Sequence, residues 1–299
     1  PVIKHPNING PMVLMFRAAV TSLGFFVFAQ RCPDTRAPMP AESCMEQQVW
    51  REVENLFDRT YDWRYSGYCI GLAEDQVVKD AQAKVAGANE TLQAHTYGEV
   101  TPNGVRQLAQ FLDLTGAGPT REVHFLDLGS GVGKMVLQMY IEVPRVSRSL
   151  GVELHPTRSQ RGKEALQMLN QLGDVASLRK QSLVAHVLAK SPQALIAMAH
   201  LRKTGVHGKG VGVSLIEADM FDLDLSEFTH IYLASLTWGA PLMNRLAKKI
   251  LTEARELEKV AALSRFEALE GFVEEEFQLQ TSWTTRSPSG SKLFVYTRL

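Results

Sequence analysis

Apolar positions follow two alternating rhythms along the last two-thirds of the chain. Val105, Leu108, Ala109 and Leu112 recur at helical spacing. Thr101-Pro102 just before them is a helix start, a hydroxyl N-cap followed by proline at the first helical position. Gly116-Ala117-Gly118-Pro119 ends that helix. Val123 to Leu128 then reads as a buried strand and Lys134 to Glu142 as a helix. Ser149 to Glu153 gives a second strand, and Thr157 to Leu172 a helix. Ser214 to Glu217 and His230 to Ser235 give a third and a fourth strand. Leu242, Leu246, Ile250 and Leu257 lie along a long helix. Strands alternating with helices predict an α/β fold, a mostly parallel sheet with helices on both faces. The end breaks the alternation. Phe277 to Trp283 and Lys292 to Arg298 are apolar-rich runs around a loop containing Ser287-Pro288-Ser289-Gly290, which predicts an antiparallel hairpin.

The first part of the chain has a different texture. Pro33, Pro38 and Pro40 mark a loop. Met45, Val49, Val53, Leu56 and Phe57 recur at helical spacing within Ala41 to Arg59. The aromatic group Tyr61, Trp63, Tyr65 and Tyr68 follows, and core packing accounts for it. Two domains are therefore expected, a mostly helical subdomain over residues 1–94 and a ligand-binding domain over 95–299. Met12 to Ala29 is apolar apart from Arg17. An arginine at the centre of a membrane span is costly, so this stretch is expected to be a buried segment and no membrane association is expected.

The 299 residues, 45% of them apolar, can bury a large core. Lys+Arg and Asp+Glu are both 32, so the net charge is zero. That excludes a strongly basic polyanion binder. DNA contact is expected to be weak, or supplied by segments upstream of Pro1, since a chain starting on proline reads as a fragment. Cys32, Cys44 and Cys69 are scattered, which suggests neither a zinc site nor a disulfide framework and fits a reducing compartment.

The sharpest local signal is Phe125-Leu126-Asp127-Leu128-Gly129-Ser130-Gly131-Val132-Gly133, a strand running into a glycine turn and then a helix. Glycines allow positive φ and close backbone approach, and the helix start offers free N–H groups. The spacing Gly-x-Gly-x-Gly, followed by Lys134, departs from the dinucleotide fingerprint Gly-x-Gly-x-x-Gly. Asp127 would repel a pyrophosphate and can pair with the cationic methionine end of S-adenosylmethionine. Glu153, twenty residues beyond Gly133, ends the second strand, where a carboxylate accepts ribose hydroxyls. Asp219 follows the third strand and is placed to meet the adenine amino group, with Met220 or Phe221 on the ring. A Rossmann-like sheet that closes in a hairpin is the layout of class I methyltransferases.

A more specific likeness rests on four runs: Tyr97-Gly98-Glu99-Val100-Thr101, Asp127 to Gly133, Val136-Leu137-Gln138, and Gly151-Val152-Glu153. Together with Ser282-Trp283-Thr284 they resemble the non-SET histone lysine methyltransferases of the disruptor-of-telomeric-silencing (Dot-one) type, over roughly residues 95–299. The resemblance implies a nuclear enzyme of chromatin that uses S-adenosylmethionine to methylate a lysine of histone H-three within the nucleosome. It implies cofactor contacts from Tyr97, Gly98, Glu99, Thr101, Asp127, Gly129, Ser130, Gly131, Gly133, Lys134, Gln138, Glu153, Asp219 and Met220. Tyr97 and Glu99 would form a lid over the methionine end. Ser235, Trp238 and Trp283, with Leu236, would stand at the lysine channel.

The chain also departs from the family. Ala234-Ser235-Leu236 stands where the family has Asn-Asn-Phe. Lys134 replaces a glutamine, Leu293 and Phe294 fall where the family has tyrosines, and residues 190–212 form an insertion. Two other functions stay open: a class I methyltransferase for another protein, RNA or a small molecule, and a non-catalytic chromatin scaffold on a degenerate methyltransferase fold. His155 is expected to be a loop residue. Arg158, Arg161, Lys163, Arg179 and Lys180 are expected to form a solvated helix face.

Overall fold

A seven-stranded sheet organises the residues that the computed structural model describes, 44–61, 67, 98–115, 122–190, 212–284 and 290–299. All of them fall within one unit, Ala41–Leu299. Strands β1 (Val123–Leu128), β2 (Val146–Glu153), β3 (Gly212–Glu217), β4 (His230–Leu233) and β5 (Lys259–Ala262) run parallel. β6 (Phe272–Leu279) and β7 (Ser291–Arg298) form a hairpin, and β7 adds antiparallel to β5. The order across the sheet is β3-β2-β1-β4-β5-β7-β6. This is the strand order of the class I methyltransferase fold. The connections reverse direction between β1 and β4, and in open α/β sheets ligands bind at that switch, outside the carboxyl ends of the strands. Register places Asp127 opposite Gly151 on one side and Tyr232 on the other.

Strand alternation separates the two faces. Leu126, Leu128, Ile231 and Leu233 pack with Met243, Leu246 and Ile250 of α6 (Ala240–Glu253). Phe125, Tyr232, Ala261 and Val295 face the other way. They pack with Val105 and Leu108 of α2 (Pro102–Phe111) and with Met135 and Met139 of α3 (Lys134–Glu142). A third cluster joins Val49, Val53 and Leu56 of α1 (Cys44–Thr60) to Leu137 and Ile141 of α3 and to Leu166 and Leu169 of α4 (Pro156–Leu172). Val175 and Leu178 of α5 (Asp174–Lys190) complete it. Among the described residues no helix is long and apolar enough to cross a membrane.

Two half-buried arginines fasten these helices. Arg106 of α2 forks onto Glu142 of α3, at 2.9 Å from Nε and 2.7 Å from Nη2, and reaches Glu54 of α1 at 2.5 Å. Its guanidinium also lies 4.4 Å over the Trp50 ring. Arg179 of α5 donates to the carbonyls of Tyr140, Val143, Pro144 and Val146, at 2.5–2.9 Å, so it caps the C-terminus of α3.

The bounds of β1 and α3 match those read from the periodicity, and the N-cap of α2 is the expected one, with Gly104 N donating to Thr101 Oγ1 at 3.1 Å. Several expectations need correction. β6 begins at Phe272 and ends at Leu279, because Glu274, Glu275 and Glu276 on this edge strand hide its apolar rhythm. Ser282 and Trp283 therefore lie in the turn beyond it. β4 stops at Leu233, and Leu257 lies beyond α6. β5 has four residues, too few to show a period, and α5 was not foreseen. Arg158 is buried, and Arg179 is turned inward as described, so neither belongs to a solvated face. His155 precedes α4 and is fully buried. The expectations for Met12 to Ala29, Trp63, Tyr65, Tyr68, Tyr97 and the insertion between 190 and 212 (apart from its end residues) fall outside the described residues.

Candidate functional site

β1 ends in the turn Gly129–Gly133, where the three glycines take φ of 83°, 57° and 81°. At Gly133, the N-cap of α3, left-handed backbone and space both demand glycine, since a Cβ would come within 2.5 Å of the Leu215 side chain. Backbone N–H groups of Gly129 and Ser130 donate to Val152 O at 2.9 and 3.0 Å, which holds the turn against β2.

Three carboxylates surround this turn. Asp127 is 3% exposed, and its Oδ1 has no hydrogen-bond partner among the described residues. Burial, and secondarily the nearby Glu153, push its pKa up to about 8. Glu153 closes β2. Its Oε2 accepts from Gly131 N at 2.7 Å and its Oε1 from His155 N at 2.8 Å. Each oxygen keeps a second acceptor site, so ribose hydroxyls can still be received. Asp219 follows β3, and its Oδ1 accepts from Phe221 N at 2.9 Å. Met220 and Phe221 line the same space, and the Arg245 guanidinium lies 3.7 Å over the Phe221 ring.

A short antiparallel pairing closes the opposite side. Val100 bridges Thr281, Ser282 N donates to Glu99 O at 2.8 Å, and Glu99 N donates to Ser282 Oγ at 3.0 Å. Trp283 rests on Gly98 so closely that a Cβ there would fall 2.2 Å from the indole ring. Lys134 at the start of α3 pairs with Glu99 at 2.7 Å, and its ammonium stands 5.1 Å from the Tyr61 ring. The segment before α2 is thus clasped from below by α3 and from the side by the turn after β6.

The cavity between these elements has a volume of about 450 Å³. Gly98, Glu99, Asp127, Gly129, Ser130, Gly131, Lys134, Glu153, Asp219 and Met220, all expected at a cofactor site, line it together. Trp238 and Trp283 line it too, with Leu236, and Trp283 and Leu236 form its open rim at 41% and 47% exposure. Trp238 lies close to Gly129, whose Cβ would be 3.5 Å from the indole.

Four expected residues are not on its wall. Gly133 shapes the turn, and Thr101 caps α2. Gln138 is buried, donating to Pro102 O at 2.9 Å and Glu142 Oε2 at 3.0 Å, so it holds the start of α2 beneath the closing segment. Ser235 is fully buried and joined to Ser264, whose N–H donates to Ser235 Oγ at 2.9 Å and whose hydroxyl donates to Ser235 O at 2.5 Å. It ties β4 to β5. The sequence reading missed Tyr232 and Arg158, both on the cavity wall. Tyr232 was hidden in the apolar run His230–Leu233, and Arg158 in a helix taken as solvated. Among the described residues no group of His, Cys, Asp and Glu could hold a metal ion.

The donor set fits S-adenosylmethionine group by group. The orphaned, buried Asp127 oxygen calls for a cation. The glycine turn leaves backbone room, Glu153 has free acceptor sites, and Asp219 with Met220 and Phe221 offers one polar and two apolar contacts for a purine.

Residues 76–188 match the protein family described as histone methylation protein DOT1. This bears out the likeness drawn from the motifs between Tyr97 and Glu153, and Ser282-Trp283-Thr284 lies beyond the matched residues. No curated protein matches the chain. Similar solved structures include a human methyltransferase 10 domain containing protein, at 8% identity and TM-score 0.40, covering 76% of this chain and 95% of that one. A magnesium protoporphyrin IX methyltransferase from Synechocystis, solved with bound S-adenosylmethionine, is similar at 13% identity and TM-score 0.39, covering 77% and 100%. An rRNA methyltransferase from Streptomyces viridochromogenes is similar at 17% identity and TM-score 0.38, covering 65% and 84%.

Proposed function

We propose that this S-adenosylmethionine-dependent methyltransferase, matched over residues 76–188 to the DOT1 family, transfers its methyl group to a lysine of histone H-three in the nucleosome. The observation that carries the reading is the buried Asp127 at the end of the glycine strand, one of its oxygens without a hydrogen-bond partner among the described residues, on the wall of a cavity whose rim is Trp283 and Leu236. S-adenosylmethionine supplies a methyl group activated by its sulfonium sulfur. Asp127 orients the cationic methionine end, Glu153 the ribose, and Asp219 the adenine. The closing segment, clasped by Lys134 and Trp283, keeps water from the reacting side.

A lysine amine, with its ordinary pKa near 10.4, attacks only once neutral. Trp238 on the inner wall favours the uncharged amine by desolvation, and the indole rings of Trp238 and Trp283 attract the residual cation by about 0.5–2 kcal/mol. Holding the two partners in line is the main catalytic device, and such positioning is worth roughly 7–11 kcal/mol. In this reading the chain works in the nucleus on chromatin. Its division at residue 94 into a helical subdomain and a catalytic domain belongs to the same proposal.

One observation favours a second reading. Ala234, Ser235 and Leu236 stand where the family carries Asn-Asn-Phe, and Ser235 is committed to Ser264. A channel without those amides suits a different protein or RNA acceptor.

Calorimetric titration with S-adenosylmethionine tests the cofactor assignment. Gly131 sits at φ 57° on the cavity wall, so Gly131→Arg is expected to abolish measurable binding. Parent-like affinity in that variant would place the cofactor elsewhere.

A further inference from the structure

We infer that Tyr232 is a second anchor for the methionine ammonium of the cofactor, its hydroxyl oxygen accepting one hydrogen bond from the group that Asp127 pairs with. The inference rests on the cofactor reading above and adds a residue that neither the motifs nor the family match assigns.

β4 is a four-residue strand, His230–Leu233, buried at every position. Packing alone would be served as well by phenylalanine at 232. The hydroxyl instead sits in the interior, 2% of the residue exposed, with no hydrogen-bond partner among the described residues. A buried polar atom left this way costs about 1–3 kcal/mol, and native proteins rarely carry one without a reason.

Its placement supplies the reason. Tyr232 is the register partner of Asp127 across the parallel β1–β4 pair, so both side chains leave the same face of adjacent strands, about 4.8 Å apart. The residue opposite Tyr232 on its other side is the small Ala261. Both Asp127 and Tyr232 line the cavity, and each carries one buried oxygen without a hydrogen-bond partner among the described residues. The remaining carboxylates of the turn already accept backbone N–H groups. Burial first, and the charge of Asp127 second, hold the Tyr232 pKa well above that of a free phenol. The group is therefore a neutral hydroxyl at working pH, with two acceptor lone pairs.

A ligand group that satisfies both oxygens must carry several N–H donors and a positive charge. An ammonium does both. An ammonium also draws Asp127 into its charged form, in which a ligand carboxylate would be repelled, and a ligand hydroxyl has a single proton to give. Within S-adenosylmethionine only the methionine ammonium meets these terms.

The test compares S-adenosylhomocysteine with its analogue in which hydrogen replaces the amine, titrated calorimetrically into the parent, Tyr232→Phe and Asp127→Asn proteins. The phenylalanine variant keeps the ring and the packing, so its melting temperature is expected to equal or exceed the parent's. Its affinity for S-adenosylhomocysteine should fall about tenfold, the scale of one hydrogen bond to a charged group. The parent's preference for the amine-bearing ligand should shrink correspondingly. Unchanged affinity in Tyr232→Phe, or an equal loss for both ligands, would overturn the assignment of the hydroxyl while leaving the cofactor site standing. A parent protein that binds neither ligand overturns the cofactor reading, and this inference with it.

Discussion

Asp127 stands at the carboxyl end of β1 with one oxygen unpaired, and its pKa is pushed from 3.8 up to about 8 by burial and by Glu153. The sign of the consequence follows from linkage. The folded chain holds the proton over a range where the unfolded chain has lost it. The stabilising contribution is therefore fully present below about pH 4 and is lost as pH rises through about 8. Asp127→Asn has nearly the same shape and never charges. Without ligand, its melting temperature should exceed the parent's at pH 9 by the equivalent of about 1–3 kcal/mol, with the gap narrowing toward pH 5. Cofactor affinity should fall in the same variant. A parent more stable than Asp127→Asn at pH 9 would mean that the carboxylate has a partner after all. At this scale much of the site was legible. Asp127 and Glu153 lie at the carboxyl ends of β1 and β2 and Asp219 just beyond β3, and strand ends can be located from sequence. Tyr232 was not legible, because nothing in an apolar run of four marks one hydroxyl as unpaired. The burial of Ser235 was equally hidden, since its partner Ser264 lies 29 residues away.

Among the elements, those with a full period of their own were the readable ones. β1, α3, α2 and α4 each carry enough apolar positions, or a cap, to declare themselves. β5 is too short, and the three glutamates of β6 mask its alternation. The pairing of Val100 with Thr281 is a contact between distant parts of the chain, and no local pattern announces it. What holds the closing segment is equally non-local. Arg106, half-buried, joins α2 to the buried side chain of Glu142 of α3, and Gln138 ties the same carboxylate to the start of α2. Truncating one partner of a buried pair leaves the other charge stranded. Arg106→Ala is thus expected to lower unfolding stability by about 3–5 kcal/mol, measured by chemical denaturation. A loss below about 1 kcal/mol would show that Glu142 finds another partner or protonates at little cost. Burial already raises the pKa of Glu142 despite Arg106, so the loss should be smaller in acid, where the stranded carboxyl is neutral.

For the whole molecule, the strand order is that of the class I methyltransferase fold and residues 76–188 match the DOT1 family, and the charge distribution bears on how a substrate would be met. Basic and acidic residues balance at 32 each. Two exposed cations are already engaged, Lys292 with Glu276 and Arg265 with Glu274. A protein that neutralises many phosphates loses affinity steeply with salt, because each contact releases counterions. This chain should show a shallow slope, with recognition resting on the histone surface rather than on DNA. Methyl transfer from labelled S-adenosylmethionine to reconstituted nucleosomes, and in parallel to free histone peptide, across a salt series, is the most direct test of the proposed function. The expected result is label on histone H-three in nucleosomes, far less on peptide, and a slope corresponding to only a few phosphate contacts. Absence of transfer to either substrate, or equal transfer to peptide and nucleosome, would contradict it.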